Sequence, residues 1–131
     1  MTSKDIEVVT TLPKESVNHP AHYMDESGVE CIDIIESMKF SSGNAFKYIY
    51  RAGKKGETVE DLQKSIFYLN HAAKKNEFNT MPLNIKELVE RVAVTRHEYI
   101  GEAMRSIYYG EWNQAIVYIN SYMDVLSRID E

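Results

Sequence analysis

Apolar residues recur at helical spacing in the first part of the chain. Between residues 29 and 38 they predict a first helix, and Ser27 with Glu30 three positions later has the form of a capping box. The Ser-Ser-Gly segment at residues 41–43 interrupts this pattern, which resumes over residues 44–52. The sequence therefore predicts two helices separated by a break at residues 41–43.

A longer amphipathic stretch follows a turn that begins at Gly53, a glycine placed as a helix C-cap. Thr58 with Asp61 gives a second capping signal, and one apolar stripe predicts a third helix from Thr58 to about residue 73. The predicted core stripe consists of Val59, Leu62, Ile66, Leu69 and Ala73.

The rest of the chain is also compatible with helix. Residues 76–82 are typical of a polar linker, and residues 85–109 fit one helix apart from Gly101. Gly110 separates this helix from a final one over about residues 111–129. Because no segment shows strand alternation, the predicted fold class is all-α, with helical hairpins packed as a small bundle.

Two parts of the predicted hairpins resemble each other. Residues 103–108 echo residues 45–50, and residues 116–120 echo residues 66–70, with a shorter turn in the second copy. Two amphipathic hairpins built from the same residue types also look alike by chance. Duplication and chance are equal alternatives at this point.

The chain is expected to have three parts. Residues 1–17 are polar and lack a clear period, which is typical of a flexible N-terminal arm. Pro20 stiffens the segment that follows and predicts an ordered loop. Residues 18–75 form a helical module with the candidate site, and residues 76–131 form a C-terminal hairpin for packing or oligomerisation.

Composition narrows the functional classes. The 131 residues suit one folded domain, and the net charge of −5 argues against extended nucleic-acid binding, which needs a broad basic face. One cysteine excludes an intrachain disulfide, and no stretch approaches the length of a membrane span. We expect a cytoplasmic protein that does not insert into membranes.

Polar stripes on the second and third helices carry the candidate chemistry. Asp61, Lys64, Tyr68 and His71 are spaced three, four and three apart, which places them on one face, about 200° from the core stripe. The second helix and the following turn add Asn44, Lys47, Arg51, Lys54 and Lys55. If the two helices form a hairpin, five basic residues converge, as phosphate recognition requires. They are Lys47, Arg51, Lys54, Lys55 and Lys64. Spacing alone favours the alternative, a solvated face paired with nearby carboxylates.

Two carboxylates on the first helix suggest a metal site. Glu30 and Asp33 are three apart, and together with Asp61 they form a candidate Mg²⁺ site. Acidic residues in a first turn also simply favour the helix dipole. His19, His22 and His71 lack the spacing of a zinc motif, so hydrogen bonding to a ligand is the better role.

Tyrosines and absent motifs complete the sequence signal. Four tyrosines could stack on a base, namely Tyr23, Tyr48, Tyr50 and Tyr68. Aromatic residues on helices more often pack into cores and subunit contacts, and Tyr50 and Phe67 are the candidates for packing. Neither a P-loop nor a G-x-G-x-x-G turn is present, so neither a Walker-type kinase nor a Rossmann protein is supported.

Five ordered motifs lie between residues 18 and 69. They are Asn-His-Pro-Ala-His-Tyr at residues 18–23, Gly-Val-Glu-Cys-Ile-Asp at 28–33, Gly-Asn-Ala-Phe-Lys-Tyr-Ile-Tyr-Arg at 43–51, Asp-Leu-Gln-Lys at 61–64 and Tyr-Leu at 68–69. Together they resemble a bacteriophage family that contains a nucleotide kinase without a P-loop. The resemblance implies an early phage protein that binds nucleotides in the infected cell, phosphorylates deoxynucleoside monophosphates and forms a homo-oligomer. The Lys-Tyr-x-x-Arg element also looks like the MazG-type pyrophosphohydrolases, but their E-x-x-E and E-x-x-D motifs are not matched in the usual order.

The leading hypothesis from this resemblance is a Mg²⁺-dependent deoxynucleoside monophosphate kinase. Phosphates would be held by Lys47, Arg51, Lys54, Lys55 and Lys64, with Lys47, Arg51 and Asp61 as catalytic residues. Magnesium would be held by Glu30, Asp33 and Asp61. The remaining binding residues would be His19, His22, Tyr23, Asn44, Tyr48, Tyr68 and His71.

Two other functions fit the same sequence. A non-catalytic protein could sequester a host signalling nucleotide, thereby opposing an antiphage response, and would need the basic cluster but no metal. An interaction module could instead bind a host protein through the aromatic C-terminal helices, although self-association explains those residues equally well. Their aromatic residues are Tyr99, Tyr108, Tyr109, Trp112, Tyr118 and Tyr122.

Overall fold

The computed structural model describes residues 25–54 and 56–129. These residues form six helices and no strand, which confirms the all-α prediction. The helices are α1 (Cys31–Ile35), α2 (Phe40–Arg51), α3 (Thr58–Lys74), α4 (Leu83–Ala93), α5 (Glu98–Tyr108) and α6 (Trp112–Ile129). None of the helices in this part of the chain is both long and apolar enough to cross a membrane.

The segment before α1 is a turn rather than a capping box. Ser27 Oγ accepts a hydrogen bond from Val29 N at 3.1 Å, and Gly28 N donates to Asp25 O at 3.0 Å with Gly28 at φ 75°. The N-cap of α1 is Glu30, without a side-chain cap. The predicted role of Ser27 is therefore wrong, because this serine closes the preceding turn and α1 covers only part of residues 29–38.

The break predicted at residues 41–43 is also wrong, since α2 begins at Phe40 and runs through them. Glu77 explains the difference: its carboxylate accepts hydrogen bonds from Ser41 N at 3.2 Å and Ser42 N at 2.7 Å. A carboxylate at this position satisfies the open amides of a helix N-terminus and favours its dipole. The predicted linker at residues 76–82 thus contains the N-terminal cap of another helix.

The buried face of α3 differs from the predicted stripe. Val59 is 43% exposed, whereas Asp61 is 3% exposed and Ser65 is fully buried. Helix α2 packs across this side of α3, and Ser65 Oγ donates to Ala45 O at 2.9 Å. The hairpin partner therefore covers Asp61, which the spacing placed on the outward face.

Residues 85–109 form two helices instead of the single helix predicted. The turn at residues 94–97 contains neither glycine nor proline. Thr95 Oγ1 donates to Val92 O at 2.7 Å, and His97 Nδ1 caps α5 by accepting a hydrogen bond from Tyr99 N at 3.0 Å. Side-chain capping of this kind stops and restarts a helix without a residue that breaks the apolar pattern.

The six helices divide into two halves with the same order of parts. Each half consists of one helix, a four-residue turn and a hairpin of two helices, and the turns are residues 36–39 and 94–97. Inside the hairpins the connection contains a glycine at positive φ, Gly53 at 85° and Gly110 at 75°. The second connection is the shorter one, as the duplication hypothesis requires.

Corresponding positions in the two halves are buried alike. Gly43 and Gly101 lie 58 positions apart (101 − 43), and an added Cβ on each would meet the carbonyl oxygen of the last residue of the preceding helix, Ile35 or Ala93. The same spacing relates two fully buried sets, Ala45, Phe46 and Ile49 in α2, and Ala103, Met104 and Ile107 in α5. These agreements support duplication over chance.

The second helices of the two hairpins correspond at a spacing of 50 positions (112 − 62). Leu62 and Leu69 of α3 match Trp112 and Ile119 of α6, all of them buried in one shared core. Helices α3 and α6 pack against each other, and the end of α3 and the start of α6 line one depression of about 500 Å³. The two helices therefore run in opposite directions, so their N-terminal halves lie at opposite ends of the pair.

Candidate functional site

The polar side chains of α2 and α3 form one continuous face, here called the α2–α3 face. At its centre the rings of Tyr48 and Tyr68 are nearly parallel, with centroids 6.0 Å apart and planes 6° apart. Lys47 Nζ lies 4.8 Å and Lys64 Nζ 5.4 Å from the centroid of the Tyr48 ring. Two ammonium groups from different helices thus flank one aromatic ring, in agreement with the convergence predicted from spacing.

Arg51 and Asp61 pair at the end of the face nearest the hairpin turn. Arg51 Nε lies 3.4 Å from Asp61 Oδ2, and the Asp61 side chain is 4% exposed while that of Arg51 is 49% exposed. Asp61 Oδ2 accepts no hydrogen bond, so its contact with Arg51 is an ion pair without hydrogen-bond geometry. A buried carboxylate beside an exposed guanidinium anchors the arginine and leaves it accessible to an anion.

The glycine at position 56 keeps space for this arginine. Gly56 has φ 76°, and a Cβ built on it would lie 3.2 Å from Arg51 Nη2. A larger residue would therefore suffer backbone strain and also crowd the guanidinium. The turn that closes the hairpin is shaped around the exposed cation.

The far end of the face contains Asn44 and His71. Asn44 Nδ2 donates to Phe40 O at 2.8 Å, so this amide is partly used within its own helix. His71 Nδ1 and Ser41 Oγ lie 2.8 Å apart in a second hydrogen bond. Both residues belong to the α2–α3 face, but they lie towards the end opposite the Arg51–Asp61 pair.

Lys54 lies in a different cluster. Its ammonium pairs with Asp25, whose carboxylate also receives Arg96 Nη2 at 2.8 Å and Nη1 at 3.3 Å. Burial alone would raise the pKa of Asp25, but hydrogen bonds from Arg96, Lys54 and Ser27 hold that pKa well below its usual range. The structure thus places Lys54 in an ion cluster with no direct part in the α2–α3 face.

Arg96 extends this cluster to α2, and the sequence contained no signal for it. Its Nη2 donates to Tyr50 O at 3.1 Å and its guanidinium carbon lies 5.1 Å from the centroid of the Tyr50 ring. Tyr50 in turn donates its hydroxyl to Val29 O at 2.7 Å, and burial raises the pKa of this phenol. Tyr50 is half-buried against the core, which confirms it as a packing residue.

Aromatic side chains extend the α2–α3 face outward. Phe40 is 72% and Phe67 64% exposed, and both contact Tyr68 edge-on, with centroids 5.9 Å and 5.2 Å from it. The prediction of Phe67 as a packing residue is therefore wrong within this chain. It points away from α2 because Leu62, Ser65 and Leu69 carry the buried face of α3.

The carboxylates predicted to hold magnesium do not form a cluster. Glu30 is the N-cap of α1, Asp33 is exposed on that helix, and Asp61 pairs with Arg51. Within residues 25–54 and 56–129 no group of three or more histidine, cysteine or carboxylate side chains is arranged to hold a metal ion. Because Mg²⁺ usually takes several ligands from substrate phosphates, its binding stays a prediction tied to the nucleotide.

Four predicted site residues lie outside the described residues. They are His19, His22, Tyr23 and Lys55. Their proposed contacts to a base, sugar or phosphate stay predictions.

Comparison with known proteins gives a family match over the half that carries this face. Residues 17–70 match a family described as a protein of unknown function, DUF3310. The chain is also 40% identical over 74 residues to the "Gene 1.7 protein" of Enterobacteria phage T3, a match that covers 49% of this chain and 45% of the relative. The chain thus spans about half the length of that relative. No solved structure matches this chain significantly.

These findings correct the resemblance drawn from the sequence motifs. The matched family has no assigned function, and the relative is a phage gene 1.7 protein, so membership of a nucleotide-kinase-like family is contradicted. The expected phage origin is supported by the relative's source. The family match ends at residue 70 within α3, so it covers the α2–α3 face except His71 and does not reach the second half of the fold.

Proposed function

We propose that the α2–α3 face binds a nucleotide, and that a deoxynucleoside monophosphate bound there accepts a phosphoryl group. The observation that carries the proposal is the convergence of Lys47 and Lys64 from two helices around Tyr48. Arg51 lies at the end of the same face, held by Asp61. Arg supplies a planar fork of donors for phosphate oxygens, and the lysines supply point charges.

The charge of the whole chain supports this assignment. In a protein with a net charge of −5, a local group of three cations attracts an anion to one place instead of coating the surface. The exposed rings of Phe40 and Phe67 beside Tyr68 offer surfaces on which a base can stack. One face thus combines recognition of a phosphate with recognition of a planar ring.

Phosphoryl transfer at this face would depend on positioning and charge neutralisation. The transferred group carries charge on its oxygens, and cations fixed before the reaction stabilise that charge without reorganisation. Arg51 is suited to this role because Asp61 restrains its Nε while half of the side chain stays exposed.

The test is calorimetric titration with a panel of deoxynucleoside monophosphates, with and without magnesium, followed by chromatography of the products after addition of a nucleoside triphosphate. Arg51→Ala should weaken monophosphate binding by at least about tenfold, the order expected for one charge-assisted contact. Arg128→Ala is the matched control, because Arg128 is an exposed arginine of α6 paired with Asp124. Equal affinity in the two variants would contradict the assignment.

A second candidate function is sequestration of a nucleotide without turnover. It is favoured by the pairing of Arg51 with Asp61, because the Asp61 carboxylate lies beside a cation, which is an unfavourable place for a metal ion. A sequestering protein should return its ligand unchanged and keep its affinity without magnesium. Asp33→Asn separates the two functions, because only the kinase hypothesis gives Asp33 a role.

A further inference from the structure

The groove between α5 and α6 takes, in the second half of the fold, the place of the α2–α3 face. It has a volume of about 380 Å³. Its lining positions 102, 105, 106 and 109 lie 58 residues after positions 44, 47, 48 and 51, and its positions 111, 114 and 118 lie 50 residues after positions 61, 64 and 68. Every residue that lines the groove therefore has a counterpart among the residues of the α2–α3 face.

The charges of the groove differ from those of its counterpart. Gln114 replaces Lys64, Tyr109 replaces Arg51, and Glu102 replaces Asn44. The cation at the position of Lys47 is Arg105, which donates to Glu90 Oε2 at 2.8 Å and to Glu102 Oε2 at 2.9 Å. The lining cation Arg105 is thus engaged by two carboxylates, and Lys86 lies outside the lining with its Nζ 5.9 Å from the centroid of the Tyr109 ring.

The aromatic part of the site is retained but opened. Tyr118 matches Tyr68, whereas the position of Tyr48, whose ring stacks on Tyr68, is taken by Ser106. Ser106 and Tyr118 both line the groove, and Tyr99 contacts the Tyr118 ring with centroids 6.4 Å apart and planes tilted by 31°. A planar ring from a ligand can stack on Tyr118 there, as Tyr48 does on Tyr68, at the spacing that aromatic pairs prefer.

Polar groups around this space suit the edge of a base. The Ser106 hydroxyl and the Gln114 amide each provide donor and acceptor atoms, and the Glu102 carboxylate provides acceptors. Ser106 is 6% exposed, so a ligand that reaches its hydroxyl must enter the groove. A hydrogen-bonding planar ring without negative charge satisfies all of these features.

We propose that the α5–α6 groove is a second binding site, which takes a nucleobase or nucleoside that carries no phosphate. The groove shares no lining residue with the α2–α3 face, and it lies at the end of the antiparallel α3–α6 pair opposite the Arg51–Asp61 pair. The proposal rests on the repeat and on the groove itself, so it stands whether or not the α2–α3 face binds nucleotides.

The test is a titration of the ¹⁵N-labelled full chain with thymidine and with deoxyguanosine, followed by amide chemical shifts. The largest shifts should fall between residues 102 and 118. Ser106→Tyr restores the ring present in the first half, and Gln114→Ala removes a hydrogen-bonding group from an exposed position. Ser106→Tyr should weaken binding by at least about tenfold, since stacking on an aromatic side chain carries about 1–3 kcal/mol per base.

Matched variants in the first half separate this site from the α2–α3 face. Gln63→Ala removes the same kind of side chain from an exposed position of α3 that has no part in the α2–α3 face, and it should leave nucleoside affinity unchanged. A weakened response in Gln114→Ala alone supports the proposal even if Ser106→Tyr does not fold. The proposal is overturned if neither nucleoside shifts residues 102–118 at millimolar concentration, or if the shifts fall on α2 and α3.

Discussion

The two halves of this protein share one framework but carry different surfaces. Both contain a glycine at the same helix crossing and a positive-φ glycine in the hairpin connection. The outer face of the first half carries a stacked tyrosine pair with Lys47, with Lys64 beside Glu60 and with Arg51 beside Asp61. The outer face of the second half carries one arginine that is engaged by two carboxylates, and an open groove. The buried positions therefore keep one fold in both halves, while the outward positions of the same hairpin differ in charge and in aromatic residues.

An ion cluster that contacts both halves does not follow the repeat. Asp25, just before α1, binds Arg96 from the turn that precedes α5, and the corresponding position 58 residues later is the exposed Leu83. The ion cluster therefore has no counterpart in the second half. It links the loop before α1 to the turn between α4 and α5.

The largest expected effect comes from breaking this cluster. Arg96→Ala should lower the free energy of unfolding by about 3 kcal/mol, the lower end of the range for removing one partner of a buried ion pair, because Lys54 continues to neutralise Asp25. Chemical denaturation monitored by circular dichroism measures this. A loss below about 1 kcal/mol would mean that the halves are held by their apolar core alone.

The same cluster predicts a dependence of stability on pH. The pKa of Asp25 is lower in the folded protein than its unfolded value of about 4, so its contribution is present above that pH and is lost as pH falls. Asp25→Asn should therefore reduce the slope of unfolding free energy against pH below about pH 4. Parallel slopes in the wild type and the variant would contradict the assigned ion cluster.

The next largest effect compares the two crossing glycines. In Gly101→Ala the new Cβ would lie 2.8 Å from Ala93 O, whereas in Gly43→Ala the nearest atoms lie at 3.6 Å or more. Gly101→Ala should cost about 2 kcal/mol through overpacking against backbone. Gly43→Ala should be neutral or stabilising by up to about 1 kcal/mol, since alanine is the better helix former. Equal losses of stability in thermal unfolding would contradict the closer backbone contact at Gly101.

A smaller effect compares Lys47 with its counterpart Arg105. Lys47→Ala should weaken binding of a deoxynucleoside monophosphate by about threefold to tenfold, the order expected for one exposed charge, and added salt should reduce the difference. Arg105→Ala should leave that affinity unchanged, because Glu90 and Glu102 already engage its guanidinium. A larger loss of monophosphate affinity in Arg105→Ala than in Lys47→Ala would place phosphate recognition in the second half of the fold and contradict the proposal.

The smallest expected change in stability is at Phe67. Because 64% of this residue is exposed, Phe67→Ala should change the free energy of unfolding by no more than about 0.5 kcal/mol. Its effect should appear instead in nucleotide affinity or in self-association, which sedimentation measures. A loss of several kcal/mol in stability would return Phe67 to the packing role that its sequence pattern suggested.

Sequence periodicity predicted the helical class and the convergence of Lys47 and Lys64, because both depend on regular spacing along single helices. It failed where a distant residue determined the local structure. Glu77, which follows the C-terminal end of α3, caps the N-terminus of α2, and α2 covers Asp61. The turn between α4 and α5 escaped detection because His97 caps a helix with its side chain in a stretch without glycine or proline.

Phosphate recognition by the first half of the fold can be tested by a chemical-shift titration of the ¹⁵N-labelled full chain with a deoxynucleoside monophosphate, compared with the same nucleoside without phosphate. The monophosphate should shift the amide signals of residues 44–68, with an affinity that falls as salt is added. Monophosphate shifts confined to α5 and α6, or identical shifts from the two ligands, would contradict it.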